Sequence, residues 1–181
     1  MENQAPKPPV VLQKGPILLR ALQEADAPHL AHHFSNKKIW DNLRDYIPFP
    51  YTEEDAENFI VSVQGENPTL TFGITYNEQI CGVMGMVAQH DVYKKSASIG
   101  YWVSEEYWGK GIASTALELV THYGLHNLGY MRIYTSVFEY NPTSMRVLEK
   151  NGYVKEGVFK KAIFKNGEIW DEHRYAIVKK D

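Results

Sequence analysis

The stretch Ile99-Gly100-Tyr101-Trp102-Val103-Ser104-Glu105-Glu106-Tyr107-Trp108-Gly109-Lys110-Gly111-Ile112-Ala113-Ser114 decides how the rest of the chain is read. Its opening residues, Gly100 apart, are apolar or aromatic, as in a buried strand. Gly109 and Gly111 then break regularity and let the backbone approach another group closely. From Gly111 onward, Ile112, Ala116, Leu117, Leu119, Val120 and Tyr123 recur at helical spacing. The predicted order is strand, short loop, helix. A helix that opens on glycine presents unpaired N–H groups at the positive end of its dipole. That end suits an anion, and phosphate above all. Lys110 adds a mobile positive charge beside it.

Three readings fit these residues. The glycines can serve turn geometry alone. Residues 109–114 also come close to G-x-G-x-x-G, a dinucleotide fingerprint. However, Ser114 stands where the third glycine belongs, and no strand–helix–strand unit precedes the motif. The third reading is a loop for the pyrophosphate of coenzyme A.

A family resemblance favours the third. Trp108-Gly109-Lys110-Gly111-Ile112-Ala113 resembles the acyl-CoA loop of the GNAT superfamily of N-acetyltransferases, of the form (Gln/Arg)-x-x-Gly-x-(Gly/Ala). Gly111 and Ala113 fill its two small positions, and Trp108 stands at its first. Tryptophan there, with the preceding Gly-Tyr-Trp-Val, looks like the Rim-type branch, which includes acetyltransferases of ribosomal-protein N-termini. A second block agrees. Asn141-Pro142-Thr143-Ser144, followed by Leu148-Glu149-Lys150-Asn151-Gly152-Tyr153, resembles the family's N-x-x-S/A and K-x-G-F/Y signature. The two blocks stand in the family's order, and the resemblance spans about residues 16–178.

Composition sets the outer bounds. The 181 residues suffice for one domain with a substantial core. The expected division is a disordered tail over residues 1–15 and a single acetyltransferase domain over 16–181. A net charge of −3 gives no reason to expect nucleic acid or an anionic membrane as partner. Cys81 is the one cysteine, so no disulfide forms within the chain and no zinc spacing exists. No signal peptide or membrane-length apolar run is visible, which makes the cytoplasm the expected compartment.

Taken in order, residues 17–21 read as a first strand. Asp26 is a candidate helix cap, with Pro28 in the first turn. His29, His32 and His33 follow on that helix and are expected to be solvent-exposed, with no metal. Residues 39–51 read as an irregular segment, either a loop packed by its own aromatics or a wall of an acceptor pocket. Thr52 caps a second helix. Residues 70–76 and 79–88 form a hairpin, in which Gly82 and Gly85 suggest a bulge or a close neighbour. Further strands are predicted over 131–138, 153–159 and 169–178, with a short helix capped by Asn141. The result is a mixed α/β fold.

The resemblance adds detail to that outline. It implies a GNAT fold with a twisted mixed sheet of six to seven strands, splayed in the middle, and about four helices on both faces. It implies acetyl-CoA as co-substrate and an amine acceptor, with the chain a monomer or homodimer. Backbone groups of Trp102 and Val103 would pair with the pantetheine arm. An N–H near Tyr101 or Trp102 would face the thioester oxygen. The pyrophosphate would lie on residues 108–114: Trp108, Gly109, Lys110, Gly111, Ile112, Ala113 and Ser114. Rim-type enzymes place the serine of the N-x-x-S block near the sulfur, which implies that Ser144 protonates, or hydrogen-bonds to, the departing thiolate; the tyrosine that many other members use falls at Leu148 here. A first-turn serine is equally well a simple capping hydroxyl, and Asn141 is first of all a cap, with a contact to the pantetheine or to a bridging water in addition. Acceptor contacts would come from Trp40, Asp41, Arg44 and Tyr46. The family's glutamate positions hold Ser98 and Ile163, leaving His90, Asp91, Glu139 or a water chain as base. That gap also admits an alternative: a non-catalytic acyl-CoA-binding or regulatory module.

Overall fold

Hairpins build the first half of the sheet. In the computed structural model, which describes residues 10–180, five strands pair antiparallel in chain order. They are β1 (Leu12–Lys14), β2 (Ile17–Arg20), β3 (Thr71–Tyr76), β4 (Gln79–Ala88) and β5 (Ser96–Val103). Asn77 and Glu78 turn β3 into β4 with φ of 49° and 70°, the left-handed pair a two-residue hairpin requires. The second half holds β6 (Arg132–Phe138), β7 (Val154–Lys165) and β8 (Glu168–Val178), giving the order β1-β2-β3-β4-β5-β6-β8-β7. This is one strand more than seven. The extra strand is β1, which lies within the 1–15 tail expected to be disordered. Leu12–Lys14 instead pairs with Ile17–Arg20, while residues 1–9 lie outside the described residues.

Among the described residues, five α-helices flank the sheet: α1 (Ala27–Phe34), α2 (Lys37–Trp40), α3 (Glu53–Val63), α4 (Ile112–His122) and α5 (Pro142–Lys150). The unforeseen one is α2, a single turn that runs into the start of the segment read as irregular. Asn36 starts it by accepting the Lys38 N–H. Thr52 and Asp55 form the expected capping box of α3. Asp26 precedes α1 but does not cap it with its side chain. Its carboxylate takes both Arg20 guanidinium nitrogens, at 2.7 and 2.8 Å, and the Gln23 N–H. Burial works to raise its pKa, but the Arg20 and Gln23 bonds outweigh it and hold the group below the ordinary carboxylate value.

The sheet separates two apolar clusters. Leu30, Ala56 and Ile60 from α1 and α3 meet Ile80, Val83 and Trp102 on one face. Ile112, Leu117, Val120, Met145 and Leu148 from α4 and α5 meet Phe72, Met84, Ile99, Ile133 and Tyr175 on the other. Gly82 is both things its place in the strand suggested. The β3–β4 register slips beside it, and a Cβ there would sit 2.4 Å from the Trp102 carbonyl.

Candidate active site

One pairing positions everything that follows. Strands β5 and β6 run parallel but share only three pairs, Ser96↔Arg132, Ala97↔Ile133 and Ser98↔Tyr134. Beyond them β5 continues along β4 to Val103, and β6 continues along β8 to Phe138. The sheet therefore opens in its middle, as the resemblance implied. Backbone direction alternates along β5. Ser104 N–H bonds Cys81 and Ser96 C=O receives Gln89 N–H, both toward β4, whereas Lys95 C=O receives Met131 N–H on the β6 side. The main-chain groups that line the gap thus belong to Tyr101 and Val103. Trp102 was expected to contribute there, but its backbone faces β4. Part of Val103 is also engaged, since its carbonyl receives the Trp108 indole N–H at 2.7 Å.

The glycine loop lies just past that point. Gly109 and Gly111 have φ of 77° and 76°, a left-handed conformation that side-chain-bearing residues avoid. Nothing lies within 4 Å of a Cβ built on either. Gly111 caps α4, and Thr115 is the first N–H to bond back to it, at 3.0 Å. The N–H groups of Ile112, Ala113 and Ser114 are left at the helix end without intrahelical partners. Lys110 Nζ sits 4.9 Å from the Tyr107 ring centroid. Ser114 Oγ accepts from Asn151 Nδ2 at 2.9 Å, tying the loop to the end of α5. An open, amide-rich mouth of this kind fits a diphosphate.

On the α4 and α5 face, Tyr101 Oη and Ser144 Oγ meet at 2.9 Å. Asn141 Oδ1 accepts the Ser144 N–H at 3.1 Å, so the cap holds the serine's backbone and leaves its hydroxyl for other work. Burial raises the Tyr101 pKa, and the Ser144 bond only partly opposes it. Tyr101 therefore keeps its proton at neutral pH and can donate it. Leu148 is fully buried in the core.

The profile of the family described as "Acetyltransferase (GNAT) domain" matches residues 17–154. The chain belongs to the GNAT acetyltransferases. An uncharacterized N-acetyltransferase of Bacillus subtilis, YnaD, is 33% identical over 141 residues, 77% of this chain and 82% of the relative. The ribosomal-protein-serine acetyltransferase of Escherichia coli is 28% identical over 164 residues, 87% and 90% of the two chains. Among solved structures, the ribosomal L7/L12 alpha-N-protein acetyltransferase RimL, in complex with coenzyme A, superposes with a TM-score of 0.80. It is 25% identical, and the match covers 93% of this chain and 98% of that one. This GNAT chain is an N-acetyltransferase.

Two of the residues expected to contact an acceptor in this GNAT chain meet the β7–β8 hairpin. Trp40 and Asp41 are docked on the tip of the β7–β8 hairpin. Lys165, only 2% exposed, places Nζ 3.3 Å from the Trp40 ring centroid and 2.6 Å from Asp45. Asn166 donates to Asp41 Oδ1 at 2.8 Å, and the Tyr140 hydroxyl donates to the Asp41 carbonyl. Arg44 and Tyr46 do not join them and lie exposed. Of the candidate bases, His90 and Asp91 lie before β5, at the end where the sheet is closed. Glu139 follows β6 at the open end, where its Oε2 accepts the Asp171 N–H at 3.2 Å. Ile163 lies on β7 past a register slip, opposite Trp170.

Two side chains escaped the sequence reading. Lys165 sits in a surface-like Lys-Asn-Gly turn and gives no sign of burial. Glu172, with Asp171, His173 and Arg174, makes a charged run inside an otherwise apolar strand, and that run was the available signal.

The histidines of α1 do not behave alike. His29 and His32 are exposed as expected. His33 is half-buried, with Nδ1 3.0 Å from Ser104 Oγ. His32, His33 and Glu106 bring ligand-type atoms within 4.8 Å of one another. Burial is the main cause holding the His33 pKa below the ordinary histidine value, and Glu106 opposes it. The unfolded chain therefore takes up this proton first as pH falls through about 6.5. Stability from this group is complete above that value and declines below it. Urea titrations at pH 7.5 and 5.5 will show a loss in the native protein that His33→Gln reduces.

Proposed function

We propose that acetyl-CoA is the donor, that a primary amine is the acceptor, and that the acetyl group passes directly between them in a ternary complex. The acceptor is a protein N-terminus or a small-molecule amine. One observation carries this reading: the gap between β5 and β6 opens beside a helix N-terminus whose amides face outward. A pantetheine arm in that gap satisfies strand groups of Tyr101 and Val103 that have no strand partner there. Residues 108–114 then hold the pyrophosphate. The Tyr101 N–H then faces the thioester oxygen as negative charge develops on it.

The amine nitrogen attacks the thioester carbon and sheds one proton to a base or water, the carbon–sulfur bond breaks, and the thiolate takes a proton from Ser144, which is restored from water by way of Tyr101. The named acceptors of the ribosomal-protein relatives support an α-amine. Such an amine, with pKa ~8, needs less than about 2 kcal/mol to lose its proton at pH 7, against roughly 4–5 for a lysine-like amine. Thiol release with acetyl-CoA and a panel of amines tests the proposal. Free thiol is expected in step with acetylated amine. Binding of acetyl-CoA with no turnover across the panel would instead mark a non-catalytic module.

A further inference from the structure

Strands β6 and β8 gather three polar side chains that the proposal above leaves unused. Ser136 Oγ donates to Glu172 Oε1 at 2.8 Å, and Arg174 Nη2 donates to the same oxygen at 3.1 Å. Among the described residues, no group donates to Oε2. The Glu172 side chain is 16% exposed, so it is sheltered yet reachable. Arg174 is held in turn, its guanidinium carbon 4.5 Å from the Phe159 ring centroid and 5.9 Å from that of Tyr134.

Register places this cluster beside the gap. Ser98 pairs with Tyr134, and both belong to the face that carries Trp102, α1 and α3. Two residues further on, Gly100 and Ser136 stand level on opposite sides of the opening. Gly100 has no side chain, and nothing lies within 4 Å of where its Cβ would be. Ser136 is paired with Arg174, and Phe138 with Glu172, so the carboxylate lies one strand from the gap on the same face. Ser144 and the Tyr101 hydroxyl lie on the other face. An amine entering over Gly100 thus approaches the thioester with Glu172 on its own side and the sulfur's proton donors beyond the sheet.

We infer that Glu172 is the acceptor-side carboxylate of this enzyme, with Oε2 receiving the amine's N–H and then its proton. The inference rests on the transferase reading above. As the nitrogen lone pair bonds to the thioester carbon, the nitrogen becomes positive and passes one proton to Oε2. The carbon–sulfur bond breaks with its electron pair on sulfur, which is protonated from the Ser144 side. Amine and thioester become amide and thiol; Glu172 returns its proton to water across the open face, and the Ser144–Tyr101 pair regains one from water. Ser136 and Arg174 are positioning residues that fix Oε1 so that Oε2 points outward.

The arrangement also selects its substrate. A carboxylate is too weak a base to strip a lysine-like ammonium, so the amine must arrive neutral. At pH 7 about 10% of an α-amine of pKa ~8 is neutral, against about 0.04% of an alkylamine of pKa ~10.4. The fixed Arg174 charge further disfavours an oligocation. The site takes an α-amine in preference to a polyamine.

Thiol release with acetyl-CoA at pH 7.5, using alaninamide or spermidine, tests this alongside calorimetric titration with coenzyme A. Glu172→Gln keeps an oxygen for the Ser136 bond. With alaninamide its kcat is expected to fall about 100-fold or more while coenzyme A affinity is unchanged. Arg174→Gln is expected to lose about tenfold in kcat, with Arg174→Lys recovering part of it. A Glu172→Gln kcat close to the native value, or spermidine outpacing alaninamide, would overturn the inference. Should Glu172→Gln fail to fold, an unchanged kcat in Arg174→Gln overturns it instead. Loss of coenzyme A binding in the native protein would sink the transferase reading itself, a different result from any of these.

Discussion

Gly111→Glu is expected to abolish coenzyme A binding in a protein that still folds. The substitution has room, because nothing lies within 4 Å of the Cβ position. Its cost to the fold is a side chain at φ 76°, on the order of 1 kcal/mol. Its cost to the ligand is far larger. The new carboxylate stands where the α4 amides are left for a diphosphate, and it both fills that space and repels the phosphates. Unit charges about 4 Å apart repel by roughly 4 kcal/mol at an effective dielectric near 20, so affinity should fall by more than about 100-fold. Gly111→Ala separates the two effects, since it carries the backbone strain without the charge. Calorimetry should find its affinity within about tenfold of native. Undiminished binding by Gly111→Glu would remove the cofactor assignment.

Ser144→Ala is expected to lower kcat about 100-fold while leaving coenzyme A affinity and melting temperature nearly unchanged. The fold is spared because the α5 cap is made by Asn141 to the Ser144 backbone N–H, which alanine retains. What disappears is the hydroxyl 2.9 Å from Tyr101 Oη. Tyr101→Phe should cost a similar factor, and the double variant little more than either, because the two hydroxyls act as one relay. Stopped-flow thiol release under saturating donor distinguishes this from a capping role. A capping hydroxyl would shift stability and leave kcat alone.

The sheet was largely legible in the chain because its strands announce themselves by composition and its turns by Asn77, Gly152 and Gly167. The glycine loop was legible for a related reason: left-handed backbone at Gly109 and Gly111 leaves few residue choices. Strand β1 was missed because Leu12–Lys14 is only three residues long and lacks alternation that could outvote the proline-rich chain before it. The backbone of Trp102 was assigned to the wrong side because alternation of N–H and C=O depends on register, which no residue type encodes. The Tyr101–Ser144 contact joins positions 43 apart and appears only once α5 is laid on the sheet. Glu172 was hidden similarly, since its partner Ser136 lies 36 residues away on another strand. Lys165 is the hardest case. Its burial depends on Trp40 and Asp45, some 120 residues earlier, folding over the hairpin tip.

The brief contact between β5 and β6 has a mechanical side as well. Each half of the sheet is stitched by long antiparallel seams, but the halves join through three rungs and the helices that bridge them. The molecule is, in effect, two stiff plates meeting at a narrow hinge line, with the wedge between them left for a guest. A donor seated there would act as the missing rungs, so the substrate that the enzyme consumes would also be a structural member, and each turnover would briefly unfasten the plates.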